Sequence, residues 1–378
     1  MLPRSGTVAG HSGSTDMTAP PPVRKFRTVL TFVLAIVACD LLVHAFAGTW
    51  ERYSPDEYAE RVTGCAKQPR DVVFVGGSPV AEGIDPGRVG ALPWHGATLA
   101  PGFAVGLSGG TTSDVYFGTV HACPTPPKLL VYGITASDLN DSRHEPHGPH
   151  SLMTWDDLAD WRRTRPEAVD WVTRHFLRGR AADLSGITRY RHGMRMWAAA
   201  RAERVVPGQF PESVAEANRQ RKLSGDLRSG NGFVPTPWFA SRQITQMRAS
   251  GWVAPSFEYL ARYRTGSHLK YLHRLLDWAE AGGCEVVLID MPTTAELEQR
   301  HPAAFAEFRE RLAEVERTRR VTVIRASRAA TGMDDSHFAD LIHMNHLGAE
   351  WFSDWLRKEL TRIGDEQSGN VVVRAAPP

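Results

Sequence analysis

Cysteine is scarce in this chain. Only four of its 378 residues are cysteine, and no two of them stand in a C-x-x-C pair: Cys39, Cys65, Cys123 and Cys284. So small a number excludes a disulfide-rich scaffold, and the missing pair argues against a structural zinc site. The sequence also lacks both glycine-rich phosphate-binding motifs, G-x-x-x-x-G-K-S/T and G-x-G-x-x-G, so we set nucleotide binding aside. The formal net charge is only +2, which gives no global reason to expect a nucleic-acid partner.

Long apolar segments are also rare, and the one that spans Thr28–Gly48 is long enough to cross a bilayer as a helix of about 20 residues. Three basic residues between positions 24 and 27 precede it, which favours a cytoplasmic N-terminus and an exported remainder. We interpret residues 24–48 as an uncleaved transmembrane signal anchor and residues 49–70 as a linker. Residues 1–23 are rich in Gly, Ser, Thr and Pro, which predicts a disordered cytoplasmic tail.

Two features of the apolar segment leave alternatives open. Asp40 and His44 interrupt it, and a carboxylate inside a membrane is costly unless it is paired or close to the interface. Both residues lie toward the outer end of the segment, where the cost is smaller. The sequence up to Ala47 has the small-x-small form of a signal-peptidase site, so cleavage after Ala47 is one alternative, and a buried helix of a soluble protein is another. Export would place Cys65 and Cys123 in an oxidising compartment, where they could form a disulfide. The sequence does not decide whether they do.

Five short, continuous apolar segments predict strands that are buried on both faces, as in a parallel sheet. Helical patterns lie between and after them, which predicts an α/β domain whose ligand site lies beyond the carboxyl ends of the strands. The predicted strands are Asp71–Val75, Phe103–Leu107, Leu129–Tyr132, Glu285–Asp290 and Val321–Ile324. The predicted helices are 266–281, 304–317 and 347–363, with Gly364 as the C-terminal stop of the last one.

The strand pattern is interrupted between residues 143 and 265, where tryptophan and arginine are frequent. We predict a mainly helical insertion or cap there, within a domain formed by residues 71–142 and 266–364. The arginines from Arg162 to Arg204 leave three interpretations open: a solvated face of the cap, a groove for an anionic or sugar substrate, or attraction to anionic lipid headgroups. Residues 365–378 are expected to form a disordered tail.

Ser78 directly follows the first predicted strand, in the sequence V-G-G-S-P. Two glycines allow the backbone to turn sharply and keep the space around the hydroxyl open. A helix beginning near Pro79 would direct free N–H groups toward the same place, which suits an oxyanion. Without other residues, this pattern is more often a plain tight turn.

Asp340 and His343 stand three residues apart just before the last predicted helix. A serine nucleophile needs a histidine within hydrogen-bond reach and a carboxylate that orients the imidazole. The alternative is that the two side chains only cap this helix. Asp334 and His337 have the same spacing, but we prefer the later pair because the helix and Asn345 follow it immediately. We expect the earlier pair to lie in a solvated loop.

These motifs, in this order, resemble the SGNH (GDSL-type) hydrolase superfamily from Asp71 to Leu360, apart from the insertion. The N-terminal anchor narrows the resemblance to cell-envelope members, namely polysaccharide O-acetylation proteins and the D-alanyl transfer protein of teichoic acid modification. The resemblance implies a flavodoxin-like three-layer α/β/α sandwich. It also implies ester hydrolysis or acyl transfer without a metal or an organic cofactor.

The resemblance assigns a role to each matched residue. Ser78 is the nucleophile, and its backbone N–H also donates to the oxyanion hole. His343 is the general base, and Asp340 is the carboxylate that orients it. Gly109 is the better match to the glycine of the second block, whose N–H donates to the oxyanion, and Gly110 is close behind.

The third block departs from the family pattern, because Thr135 stands where an oxyanion-hole asparagine is expected. Asn140 is the substitute that the sequence offers, and loss of one donor costs about 100- to 1,000-fold in turnover. We therefore hold two functions open. One is a membrane-anchored, extracytoplasmic serine esterase or O-acyltransferase acting on an acylated envelope glycan. The other, supported by Thr135, is a non-catalytic envelope factor that binds glycan or partner proteins.

Overall fold

A computed structural model of the chain describes residues 22–142, 153–166, 169–209, 211–233 and 257–374. Its centre is a sheet of five strands, all parallel, in the order β4-β1-β5-β6-β7, and a two-stranded antiparallel hairpin stands apart from it. The strands are β1 (Val72–Gly77), β2 (Leu92–Trp94), β3 (Ala97–Leu99), β4 (Phe103–Leu107), β5 (Leu129–Ile134), β6 (Glu285–Asp290) and β7 (Val321–Arg325). The prediction of an α/β domain with a parallel sheet is confirmed.

Helices flank every main strand. They are α1 (Pro22–Ala45), α2 (Ala47–Glu51), α3 (Glu57–Ala66), α4 (Ser78–Gly83), α5 (Pro86–Val89), α6 (Thr112–Ala122), α7 (Trp155–Thr164), α8 (Val169–Asp183), α9 (Gly186–Val205), α10 (Pro211–Ser229), α11 (Ser267–Ala281), α12 (Ala295–Arg300), α13 (Pro302–Thr318), α14 (Arg328–Thr331) and α15 (His346–Arg374). Short 3-10 turns lie at Glu258–Arg262 and Asp335–His337.

Two apolar cores cover the two faces of the sheet. On one face, alternate residues of the strands pack against α3, α6, α11 and α13. On the other face, the remaining strand residues pack against α4, α5, α15 and the hairpin. Burial on both faces explains why the main strands are continuous apolar runs instead of alternating patterns. Among the described residues of the predicted insertion there are helices α7 to α10 and the 3-10 turn at Glu258–Arg262, and no strand.

The predicted linker is part of the folded domain. Helix α3 begins at a cap in which the Asp56 side chain accepts the Ala59 N–H, and it buries Val62 and Cys65 in the core. Residues 49–70 were therefore wrongly assigned to a linker. The helix is hard to recognise from apolar spacing because two of its four buried residues are Arg61 and Gly64.

The predicted end of the last helix is also wrong. Gly364 does not stop α15, which continues to Arg374, so the segment 365–374 is helical and only residues 375–378 lie outside the described part of the chain. A Cβ at Gly364 would come closer than 3.0 Å to the carbonyl of Pro93. The glycine therefore serves close packing of α15 on the hairpin. A C-terminal cap would require a left-handed glycine.

Near the N-terminus, α1 contains the stretch Phe26–Ala45, which is long and apolar enough to cross a membrane and has none of its residues buried in the protein. Of the predicted tail 1–23, residues 1–21 lie outside the described ranges. The helix itself begins at Pro22, two residues earlier than predicted.

Cys65 and Cys123 lie side by side in the core. Their Sγ atoms are 4.0 Å apart, and both thiols are free. A disulfide has a bond length of about 2.05 Å, so the two sulfurs are neighbours without a bond in this structure. Burial and the hydrogen bond between the two groups separate their acidities. The pKa of Cys123 is raised, chiefly because Cys65 and burial both oppose its ionisation.

A row of three glycines crosses the sheet near its carboxyl end. Gly76 of β1 lies opposite Gly106 of β4 on one side and Gly133 of β5 on the other. A Cβ on any of them would come closer than 3.0 Å to α4, either to the side chain of Val80 or to the backbone of Ala81. The row therefore allows α4 to lie directly on the sheet.

We expect Gly106→Ala to destabilise the protein by about 1–3 kcal/mol, because the added methyl group meets the Ala81 backbone, which cannot turn away as a side chain can. Urea unfolding of the full-length chain in detergent measures this. Gly225→Ala is the matched control, since Gly225 lies inside α10 with open space around it. That change should stabilise by about 0.5–1 kcal/mol. Equal effects of the two changes would contradict the close approach of α4.

Candidate active site

Ser78 is the first residue of α4 and follows β1 without an intervening loop. Gly77 before it has extended backbone angles, and a Cβ there would lie 3.3 Å from Oδ1 of Asp138 and 3.5 Å from the carbonyl of Gly110. The glycine row beneath α4 fixes the height of the helix above the sheet. Ser78 is thus held at the carboxyl edge of the sheet, where it remains partly exposed.

The structure brings Ser78, His343 and Asp340 together in a chain of hydrogen bonds. The Ser78 Oγ lies 2.7 Å from Nε2 of His343, and Nδ1 of the same ring lies 2.6 Å from Oδ2 of Asp340. The serine and the histidine are 265 positions apart in the sequence. With a proton on Nδ1, the imidazole can accept the serine proton at Nε2, which is the geometry that nucleophilic catalysis needs.

Asp340 is held as an ionised acceptor. Its Oδ1 accepts the backbone N–H groups of Ile342 and His343, at 2.9 and 2.7 Å. Burial alone raises the pKa of this carboxyl, but the His343 imidazole and the two N–H donors outweigh burial, and the pKa lies below its usual value. An ionised carboxylate can orient the histidine ring and stabilise an imidazolium.

Neighbouring elements fix the loop that carries this pair. The Ala339 N–H donates to the carbonyl of His343, so the loop closes on itself. Its outer side is tied to the segment after β6, because both the N–H and the hydroxyl of Thr294 donate to the carbonyl of Leu341. Phe338 and Met344, which flank the loop, are buried in the core. The histidine is therefore positioned by the sheet as well as by its own turn.

The earlier pair, Asp334 and His337, occupies a different place. Oδ1 of Asp334 lies 3.0 Å from Nδ1 of His337, and the two side chains cap a 3-10 turn. The Asp334 side chain is 67% exposed, and the His337 ring packs against Trp351 at a centroid distance of 5.6 Å. This pair stabilises the approach to α15, and the structure shows no hydrogen bond from it to Ser78.

The second block lies in a tight turn after β4. Gly109 has a φ of 73°, in the left-handed region that favours glycine, and the Gly110 N–H donates to the carbonyl of Leu107 at 2.8 Å. That bond engages the Gly110 N–H inside the turn, which argues against Gly110 as a donor to an oxyanion.

Both candidates for the third donor are engaged elsewhere. The N–H and the hydroxyl of Thr135 donate to Oδ2 of Asp138, at 2.7 and 3.0 Å. The amide of Asn140 donates to the carbonyl of Tyr259, at 3.1 Å, and its oxygen accepts the N–H groups of Ser142 and Arg264. Asn140 therefore ties the loop after β5 to the segment that leads into α11.

Asp138 is a residue that the sequence analysis did not single out. It is buried; its carboxylate organises the loop after β5, and its carbonyl accepts the N–H and hydroxyl of Thr112 at the start of α6. Its Oδ1 also lies beside the Gly77 turn. The only sequence signal was the T-x-x-D spacing from Thr135, which is common in structural turns.

Within the ranges that the structure describes, no group of three or more His, Cys, Asp or Glu side chains is arranged to hold a metal ion. No protein-family model and no curated protein matches the chain.

We expect Asp340→Asn to lower the melting temperature at pH 7, because an amide is a weaker acceptor for the two N–H groups and for the imidazole. A carboxyl whose pKa is depressed by folding stabilises the fold above its unfolded pKa, near 4, and loses this contribution as the pH falls through the folded pKa. The difference from wild type should thus shrink toward pH 3. Thermal unfolding of the full-length protein between pH 7 and pH 3 measures it.

Asp365→Asn is the control for this experiment, since Asp365 is an exposed carboxylate on α15. It should leave the melting temperature nearly unchanged. A difference between Asp340→Asn and wild type that stayed constant down to pH 3 would contradict an ionised, stabilising Asp340.

Proposed function

We propose that this protein is a membrane-anchored, extracytoplasmic serine esterase or O-acyltransferase of the SGNH type, acting on an acyl ester of an envelope glycan. The observation that carries the proposal is the Ser78–His343–Asp340 chain, with distances of 2.7 and 2.6 Å. Ser78 meets the Asp340–His343 pair although the serine and the histidine are 265 positions apart in the sequence.

The proposed reaction has two steps. His343 takes the proton from Ser78 as Oγ attacks the ester carbonyl, and the protonated histidine then gives that proton to the departing alcohol. The backbone N–H groups of Ser78 and Gly109 are the proposed donors to the tetrahedral oxyanion. The acyl-enzyme is released when His343 activates a second hydroxyl. If this comes from water the enzyme is an esterase, and if it comes from a sugar it is a transferase.

The sheet topology supports the family assignment. Counted along the chain, the five parallel strands run in the order 2-1-3-4-5, which is the flavodoxin-like order. Helices pack on both faces, as a three-layer sandwich requires. In this topology the ligand site is expected outside the carboxyl ends of the strands, where Ser78 follows β1.

The location and substrate class are inferred from α1 and from the cap. We propose that Phe26–Ala45 spans the membrane and that the basic residues before it keep the N-terminus cytoplasmic, which leaves the domain outside. An exported hydrolase domain tethered at the membrane is suited to a glycan of the envelope. The frequent arginines of the cap, from Arg162 to Arg204, support an anionic or sugar substrate by their composition.

A second candidate function is a non-catalytic envelope factor that binds glycan or partner proteins. The observation that favours it is that Thr135 donates its hydrogen bonds to Asp138 and that the amide of Asn140 donates to Tyr259. Without a third donor, an oxyanion hole of two N–H groups would give weaker catalysis, by about 100- to 1,000-fold.

We expect the full-length protein to react covalently with a fluorophosphonate probe, because a serine activated by a histidine displaces fluoride from the probe and becomes phosphonylated. Ser78→Ala should abolish labelling. His343→Ala should slow it by about four to six orders of magnitude. In-gel fluorescence over a time course measures the rates.

His337→Ala is the matched control, since it makes the same change in the other D-x-x-H pair, which only caps a turn. That variant should label at the wild-type rate. A wild-type protein that stays unlabelled would favour the non-catalytic factor, and equal loss in the two histidine variants would contradict the assignment of His343.

A further inference from the structure

The transmembrane helix candidate carries one acidic residue, and the cap supplies its partners. Oδ1 of Asp40 accepts the hydroxyl of Ser185 at 2.9 Å and the backbone N–H of Ile187 at 3.0 Å. Ser185 is the N-cap of α9, and Ile187 lies in the first turn of that helix. A carboxylate that would be costly within a membrane is thus hydrogen-bonded to the first turn of α9.

Helix α9 runs alongside α1 and α2 with the same chain direction. A Cβ at Gly186 would touch the Asp40 carbonyl at 3.0 Å, and one at Gly193 would come closer than 3.0 Å to the Trp50 carbonyl. The Trp50 and Trp197 rings lie edge to face, with centroids 5.3 Å apart. Successive turns of α9 therefore meet successive positions of the anchor from residue 40 to residue 50, and the start of α9 is its deepest point.

The contact with Asp40 sets the depth of that point. The apolar stretch ends at Ala45, so Asp40 lies five residues inside it, or roughly 8 Å along a helix that rises about 1.5 Å per residue. The turn at Leu184–Ile187 must lie at the same depth. Its apolar side chains face outward, with Leu184 84% exposed and Ile187 38% exposed. Exposed leucine at this level would contact lipid.

Beside this turn Asp183 is paired with Arg180 and Arg189, which lowers the cost of charge at this depth, and exposed charge and aromatic rings follow further out. Arg191 is exposed and lies five residues beyond Gly186, at about the level where the apolar stretch of α1 ends. Cationic side chains at that level meet the phosphates of lipid headgroups. Trp50 and Trp197 lie one to two turns further out, where aromatic rings are enriched at membrane surfaces.

We propose that the turn between α8 and α9 is a second membrane contact, which inserts Leu184 and Ile187 into the outer leaflet beside the anchor. This inference rests on the proposed membrane span of α1. It fixes the cap at the lipid surface. The chemical partner is the apolar and headgroup region of a phospholipid bilayer.

Spin labels on the full-length protein in phospholipid nanodiscs test this. Cys39, the one exposed cysteine among the described residues, is replaced by serine, and Leu184→Cys carries the label. We expect this label to be more accessible to dissolved oxygen, which partitions into lipid, than to a water-soluble nickel chelate. Val205→Cys is the matched control, since Val205 is 81% exposed at the last position of α9, roughly 28 Å along the helix from Gly186. Its label should show the opposite preference.

A third label separates this inference from the anchor. Native Cys39, labelled in the wild-type chain, reports whether α1 lies in lipid. If Cys39 shows lipid accessibility while the Leu184 label prefers the nickel chelate, the second contact is overturned and the anchor stands. If the label on Cys39 is more accessible to the nickel chelate than to oxygen, α1 does not lie in lipid, and both the anchor and the second contact are overturned. A Leu184 label shielded from both reagents indicates a protein neighbour and also overturns the proposal.

Discussion

The close approach of α4 to the sheet is the constraint on which the site depends. Three adjacent strands each contribute a glycine, at positions 76, 106 and 133, and the helix lies in the space that the missing side chains leave. Because Ser78 begins that helix, its hydroxyl is placed by backbone packing, which has little freedom to relax. A side chain in any of the three positions would lift the helix and move the hydroxyl away from His343.

The histidine is positioned by a separate set of contacts that meet the first at the sheet edge. The loop of Asp340 and His343 is closed on itself and is bonded to Thr294 after β6, while α15 behind it packs on the same face as α4. In a parallel sheet all the carboxyl ends lie at one edge. Segments 265 positions apart can therefore reach hydrogen-bond distance without a long flexible connection.

Hydrogen bonds between distant parts of the chain also link α1 to the cap. Asp40 is unfavourable in a membrane helix considered alone, but it accepts two hydrogen bonds from the start of α9 and so joins two parts of the chain that are about 145 positions apart. The cap is in turn packed on the domain, because α7 and α8 share an apolar cluster with Tyr271 of α11. Helix α1, the cap and the domain that carries the parallel sheet are thus connected by direct contacts.

Local pattern was sufficient for the parallel strands, for α1 and for the choice of Ser78, Asp340 and His343 as the residues to examine. Runs of apolar residues indicate buried strands and membrane-length helices, and glycines indicate sharp turns. These features can therefore be predicted from short segments of the sequence. The helix end at Gly364 and the linker 49–70 were predicted wrongly, because their outcome depends on what packs against them.

Only the tertiary structure decided which donors are engaged. Thr135 and Asn140 both carry the right chemistry for an oxyanion, yet Thr135 is bonded to its near neighbour Asp138, and Asn140 is bonded to the carbonyl of Tyr259, which is 119 positions away in the sequence. The partner of Asp40 is likewise absent from its neighbourhood in the sequence. A sequence states what a side chain can donate or accept, and the fold determines which group it meets.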